Sequence, residues 1–147
     1  MPDILRILPT GGTYKEFKSN IPSGGTRVIG NIYLVQDTYA VAFAASVAAE
    51  QAASTINVGG GIVGTSFAVA GTPIVYIYEA EKIMLPKKTA TGEAFVVGDD
   101  VWLDTVNLNV TPNFVTGYLW VGTAQKAATD TATRVLCSFE GTVNGNN

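Results

Sequence analysis

The feature that most constrains the fold of this chain is a period-two alternation of side chains within residues 91–141. Three short apolar runs lie there, at residues 101–104, 118–124 and 133–140, and clusters of Gly, Asp, Asn and Thr separate them. Successive side chains of a β-strand point to opposite faces, so this pattern is typical of half-buried antiparallel strands. The sequence therefore predicts a compact β-unit here, to which the rest of the chain is added.

The last of these runs shows the alternation most clearly. Its alternate residues form one predicted inward face: Thr133, Val135, Cys137 and Phe139. The chain contains one cysteine, which excludes an internal disulfide framework and a cysteine-based zinc site. Because Cys137 lies on the inward face, we predict a buried and unreactive thiol.

Charged side chains are scarce in this chain of 147 residues. They make up 14% of it, against about 25% in an average soluble domain, and a chain of this length is expected to form one domain. Between residues 38 and 78 the only charged residue is Glu50. A surface made of such a segment would be largely apolar or neutral, which usually marks an interaction site. The composition therefore favours an oligomer or a protein bound to a scaffold.

The net charge of −3 argues against nucleic acid as a partner, because phosphate contacts need clustered Lys and Arg. The adjacent pair Lys87 and Lys88 is predicted to lie in a solvated turn. The first residues lack the basic and apolar segments of a signal peptide. Glycines and Pro73 interrupt the uncharged stretch 51–78, so we predict no membrane-spanning helix and synthesis in the cytoplasm.

Proline and glycine are dense in residues 1–25, which leaves room for little regular structure. We predict an extended N-terminal arm that gains order by lying on another surface. Its apolar side chains would be the contacts: Ile4, Leu5, Leu8, Tyr14 and Phe17. Residues 26–141 are predicted to form a single β domain, and residues 142–147 a flexible C-terminal tail.

Short strands are predicted at residues 26–29, 32–36 and 39–44. The first two flank Gly30 and Asn31, a pair that favours a tight turn with positive φ. Residues 44–53 are rich in alanine and favour one short helix.

Residues 44–73 as a whole are predicted to be a neutral insert. Its glycine cluster at residues 59–61 lacks the Lys-Ser/Thr and the flanking elements of a phosphate-binding loop, so we predict a plain loop. Further strands are predicted at residues 74–78 and 82–85, which are rich in β-branched and aromatic or other apolar side chains.

No pattern in the chain predicts catalysis. It contains no histidine, which removes the usual base and the commonest metal ligand. Glu79 with Glu81 and Asp99 with Asp100 are paired carboxylates, but we predict an exposed strand edge for the first pair and a turn for the second. We therefore expect no enzyme, no cofactor and no metal site.

The order of short motifs along residues 83–140 carries a resemblance. The motifs are Leu85-Pro86-Lys87, Gly98-Asp99, Val101-Trp102-Leu103-Asp104, Val121-Gly122-Thr123-Ala124 and Asp130-Thr131 followed by Thr133-Arg134-Val135-Leu136, with an earlier Val28-Ile29-Gly30-Asn31. In this order they resemble the capsid cement, or head decoration, proteins of bacteriophages. The N-terminal arm and the insert at residues 44–73 have no counterpart in that family unit.

The resemblance implies a small antiparallel β-barrel or β-roll with no active site. It implies a homotrimer that binds the major capsid protein on the outer surface of an icosahedral head, so that the mature protein would be part of the virion. The arm residues given above would then contact the capsid. The neutral segment would lie partly at subunit interfaces, through its aromatic residues Tyr39, Phe43, Phe67 and Tyr76.

Two other functions fit the same residues. A tail or fibre component would share the β-rich, weakly charged composition. In a carbohydrate-binding module, Trp102, Trp120 and Tyr118 would form a platform on which a sugar stacks. These aromatic residues also suit a core or an interface.

Overall fold

The computed structural model describes residues 13–45, 66–67 and 70–141, and of residues 44, 45, 66 and 67 it describes the backbone. In this part of the chain all regular structure is β-strand. The strands are β1 Tyr14–Asn20, β2 Arg27–Val28, β3 Ile32–Val35, β4 Thr38–Ala45, β5 Ser66–Phe67, β6 Pro73–Pro86, β7 Asp100–Asp104, β8 Asn109–Thr111, β9 Leu119–Thr123 and β10 Arg134–Glu140. The all-β antiparallel prediction is confirmed, but these strands form open sheets and no closed barrel.

Strand β6 organises the larger sheet. It is 14 residues long and pairs with β1, β4 and β10, all antiparallel. Its β-branched and aromatic residues favour a strand, and its prolines stand at the two ends, where the loss of an N–H costs least. The strands predicted at residues 74–78 and 82–85 are therefore one strand. Its pairing with β10 shifts register between Cys137 and Phe139, which leaves Glu81 and Lys82 in a bulge.

The tight hairpin of this sheet joins β3 to β4 through Gln36 and Asp37. Both residues have positive φ, of 51° and 65°, as a type I′ turn requires. Gly30 also has the predicted positive φ, at 99°. The strands on either side of Gly30 do not pair with each other, however, because β2 pairs with β5 and β3 with β4.

A smaller sheet has the strand order β8-β7-β9. The strands predicted at residues 101–104, 118–124 and 133–140 are all present within one or two residues. They do not form one separate unit, because β10 joins β6 in the larger sheet while β7 and β9 stay together. The bridge between Ala124 and Cys137 links the two sheets.

The core lies on the inward faces of both sheets. Its largest fully buried side chains are Ile21, Ile29, Ile32, Phe43, Ile74, Tyr76, Ile77, Ile83, Leu85, Phe95 and Phe139. The predicted inward face of β10 is confirmed for Val135, Cys137 and Phe139, whereas Thr133 precedes the strand and is exposed. Burial raises the pKa of the Cys137 thiol, which keeps it protonated and unreactive.

Three predicted boundaries need correction. The arm was predicted to span residues 1–25, but β1 is an integral strand and Ile21 is buried, so residues 14–25 belong to the β domain. Ala44 and Ala45 end β4, which contradicts the start of the predicted helix; residues 46–53 lie outside the described part. The predicted insert at residues 44–73 begins in β4, contains β5 and ends in β6. Residues 1–12 and 142–147 also lie outside the described part.

Candidate binding surface

The predicted arm contacts divide into two groups. Ile4, Leu5 and Leu8 lie outside the described residues. Phe17 stacks on Tyr76 of the neighbouring strand, with ring centroids 5.4 Å apart, so it anchors β1 to its own sheet. Tyr14 remains 39% exposed, and its ring lies 5.6 Å from that of Phe43.

The predicted oligomer-interface residues are mostly core residues. Tyr39, Phe43 and Tyr76 are 9%, 1% and 0% exposed within a single chain, so the prediction that they meet another subunit is wrong. In the described part of this segment, the absence of charged side chains agrees with the burial of residues 39–43 in β4 and 74–77 in β6. The buried Tyr76 hydroxyl accepts a hydrogen bond from Arg27 Nε at 2.8 Å, as a buried polar group requires. For Phe67 the structure describes only the backbone, so the predicted contact of its side chain lies outside the described part.

An aromatic row crosses the small sheet. Trp102 on β7 and Trp120 on β9 are directly opposite in the register and therefore share a face. Phe114, 58% exposed in the loop after β8, meets Trp102 edge to face at 4.8 Å. Trp120 Nε1 donates a hydrogen bond to Asp100 Oδ1 at 3.1 Å, which fixes the indole ring. We call Phe114, Trp102 and Trp120 the aromatic row.

The row confirms the placement of two of the three residues predicted for a sugar platform. Tyr118 does not complete it as proposed, because its hydroxyl is held in a network with Lys88 and Asp104. Phe114 was missed by the sequence analysis because it stands in a turn cluster, where alternation gives no signal. An exposed aromatic residue between turn residues was the available hint.

Beyond Trp120 the surface falls into a cleft of about 410 Å³. Glu79, Glu81 and Glu140 line it together with Trp120 and Tyr14, and we call it the acidic cleft. The predicted strand edge is wrong, because β6 pairs with β1 on one side and with β4 and β10 on the other; the Glu81 side chain is exposed and the Glu79 side chain is half-buried. The approach of Glu140 was not predicted, because it depends on the long-range pairing of β6 with β10.

Contacts within the acidic cleft hold its carboxylates in place. Lys15 Nζ lies 3.7 Å from Glu79 Oε2 in an exposed ion pair, and Thr13 Oγ1 donates to Glu81 Oε2 at 2.9 Å. Glu79 and Glu140 stand directly opposite each other in the register.

Gly122 lets β9 lie close over β10 at the floor of the cleft. A Cβ atom at Gly122 would come within 2.0 Å of the Ser138 carbonyl oxygen, a distance that no side chain permits. Beside it, Thr123 N donates to Ser138 Oγ at 2.9 Å. This close approach fixes the position of Trp120 above the cleft.

A buried ion pair braces the other end of the small sheet. Lys88 Nζ lies 2.7 Å from Asp104 Oδ2, and Tyr118 hydrogen bonds to both. Burial alone would raise the pKa of Asp104, but hydrogen bonds from Lys88, Asn107 and the Val106 amide outweigh it and hold that pKa well below its usual range. The hydrogen bonds to Asp104 and Tyr118 raise the pKa of Lys88.

The prediction that Lys87 and Lys88 form a solvated turn is therefore wrong. Lys87 is 4% exposed, and its ammonium group donates to the carbonyl oxygens of Lys88 and Asp130 at 2.7 and 3.3 Å. Burial lowers its pKa. Arg134 also links distant segments: its guanidinium group donates hydrogen bonds to Gly30 O at 2.8 Å and to Asn31 Oδ1 at 3.3 Å.

The predicted turn is confirmed for Asp99, which closes a turn over residues 96–99, whereas Asp100 begins β7. Asp99 Oδ2 accepts a hydrogen bond from the Val96 amide at 2.9 Å, and Gly98 has a φ of 93°. Within the described residues no three carboxylate, cysteine or histidine side chains are placed to hold a metal ion.

The same part of the chain contains no helix long and apolar enough to cross a membrane. Comparison with protein-family models, with curated proteins and with solved structures found no match to this chain.

Proposed function

We propose that this chain is a structural protein without enzymatic activity, which binds the outer surface of a bacteriophage head and stabilises the mature shell. One observation carries the proposal: residues from separate motifs of the resemblance are bonded to each other inside the fold. Arg134 reaches Gly30, 104 residues away, and Lys87 reaches Asp130. Agreement between the sequence motifs and the contacts of the fold supports the resemblance on which the proposal rests.

A protein that binds only the expanded shell stabilises that state by mass action. Many copies on one shell need only modest affinity each when neighbouring sites act together. The major capsid protein would be the principal partner, and other copies of the chain, as a homotrimer, a second one. The aromatic row, in which Phe114 is exposed and the two tryptophans are partly exposed, is a surface of the kind through which such contacts are made.

Co-sedimentation tests this function. The purified chain is mixed with expanded heads, with unexpanded precursor shells and with isolated tails of the phage that encodes it. We expect saturable binding to expanded heads and little binding to the other two particles. Binding to tails alone would favour a tail component, and binding to none of the three would contradict the proposal.

A carbohydrate-binding module is the second candidate, and the aromatic row is the observation that favours it. Two neighbouring indole rings with an adjacent phenyl ring offer a face on which a sugar can stack. A glycan array probed with the wild-type chain and with Trp120→Ala tests it. Glycan binding that Trp120→Ala removes, but Tyr14→Ala leaves intact, would support this candidate over head decoration.

A further inference from the structure

Strand β1 is an outer strand of the larger sheet. Among the described residues it pairs with β6 on one side, and no strand lies on its other side. We propose that this open edge pairs antiparallel with β1 of a second copy of the chain, with Phe17 of both copies on a two-fold axis. The inference goes beyond the proposed function, because it concerns a two-fold contact and neither head binding nor the threefold contact of a homotrimer. It can therefore fail while the proposed function stands, and the reverse is also true.

The backbone of β1 determines which of its residues can bond to a second strand. Thr13 O accepts a hydrogen bond from Glu81 N just before β1, and Ile21 N donates to Thr72 O just after it. Because the hydrogen-bonding groups of successive strand residues point to opposite edges, the odd-numbered residues between these two ends bond towards β6. The even-numbered residues of β1 therefore present their N–H and C=O groups to the open edge. Such a row of groups is a template for pairing with another strand.

The charges of β1 select one register for this pair. Even-numbered residues must face even-numbered residues, so in a well-overlapped pair the two-fold axis passes through Glu16, Phe17 or Lys18. An axis at Glu16 or at Lys18 would place two like charges directly opposite each other, which destabilises a sheet. An axis at Phe17 places Glu16 opposite Lys18 of the second copy, twice. Lys15 then faces Ser19, so no like charges meet in this register.

The side chains that would meet across the axis are accessible. Glu16 and Lys18 are exposed, and the ion pairs among the described residues are formed by other side chains. Phe17 is half-buried, and its ring lies 5.4 Å from that of Tyr76 and 5.8 Å from that of Tyr78. The two Phe17 residues would form a non-hydrogen-bonded pair, in which opposite side chains are closest and aromatic pairs stabilise the sheet.

The edge is short, so we expect a weak contact. Seven residues on each side bury far less than the roughly 800 Å² per partner of a stable interface, and we expect a dissociation constant of about 100 µM. Copies held side by side on a larger particle would pair more readily, because their effective concentration is higher.

A charge exchange tests both the pairing and its register. Sedimentation velocity between about 1 and 500 µM measures pairing as a rise of the sedimentation coefficient above its low-concentration value. Glu16→Lys alone and Lys18→Glu alone each place like charges opposite each other, so we expect each variant to associate at least about fivefold more weakly than the wild type. The double variant, Glu16→Lys with Lys18→Glu, restores the opposite charges and should associate as the wild type does. A mixture of the two single variants should do the same, because each is the complement of the other.

Lys126→Glu is the matched control. It makes the same change of charge as Lys18→Glu at an exposed residue outside β1, and we expect it to associate as the wild type does. Recovery of pairing in the mixture also shows that both single variants are folded, since a misfolded chain would not pair with its complement.

Three results would overturn the inference. One is a wild-type sedimentation coefficient that does not change over this range of concentration. Another is equal weakening by Lys126→Glu and Lys18→Glu, which would mean general charge repulsion. The third is a mixture of the two single variants that associates no better than either variant alone, which would exclude this register.

Discussion

At the scale of single residues, three cationic side chains of this chain act inside the fold. Lys87, Lys88 and Arg134 each join segments that are far apart in sequence. A buried charge destabilises the fold unless it is paired. Removing the partner of any of these three side chains should therefore lower the free energy of unfolding. The sequence analysis placed the two lysines in a solvated turn because adjacency alone cannot show that a carboxylate from another strand meets them.

Replacing Asp104 by Asn tests the importance of the buried ion pair. The change leaves Lys88 without its carboxylate in a mostly buried place, and we expect the free energy of unfolding to fall by about 3 kcal/mol. Urea unfolding followed by fluorescence measures it. Asp37→Asn is the control, since that exposed turn residue should change stability by less than about 0.5 kcal/mol. Equal effects of the two changes would contradict the account.

The pKa of Asp104 also predicts how stability depends on pH. Because the folded-state pKa lies below that of the unfolded chain, the stabilisation is fully present above pH about 4 and is lost as the pH falls further. Urea midpoints measured between pH 7 and pH 3 should therefore drop steeply at the acid end in the wild type. In Asp104→Asn the drop should be smaller, and identical pH profiles would count against the ion pair.

Gly122→Ala tests the close approach of β9 to β10. The added Cβ would collide with the Ser138 backbone, so we expect a loss of about 3 kcal/mol of stability and a shift in Trp120 fluorescence. Gly117→Ala is the matched control: its φ of 98° costs about 1 kcal/mol, but the space around it is open. A Gly122→Ala chain as stable as the Gly117→Ala chain would be inconsistent with this packing.

At the scale of elements, strands were easier to predict than their partners. The alternation in residues 133–140 gave β10 and its inward face, because one face of that strand is buried. The hairpin at Gln36 and Asp37 was missed, since glutamine seldom adopts a positive φ and gives no turn signal. Glu79 and Glu81 were expected on an exposed strand edge, but strands pair with β6 on both sides of this region.

Strand β1 makes a prediction at this scale. It pairs along residues 73–80 of β6, and Phe17 covers Tyr76, so removal of residues 1–25 would strip one side of the central strand. We expect the truncated chain to lose cooperative unfolding and to expose apolar surface, which urea titration and dye binding measure. A truncated chain with an unchanged unfolding midpoint would show that β1 is an arm after all.

At the scale of the whole molecule, the all-β class and the position of most strands follow from the sequence, and the arrangement of the sheets does not. Residues 91–141 were expected to form one unit, but β10 pairs with β6 in the larger sheet. Which edges meet is decided by packing between distant residues, such as Gly122 against Ser138. The acidic cleft was unpredictable for the same reason, because Glu140 and Trp120 reach it from separate strands.

The central claim, that this β fold decorates the outside of a phage head, is tested most directly by a cryo-electron microscopy map of the virion. The account predicts density on the outer surface of the head into which the β6-centred sheet and the β8-β7-β9 sheet fit, in contact with the major capsid protein. Density for this fold on the tail, or its absence from the particle, would contradict the claim.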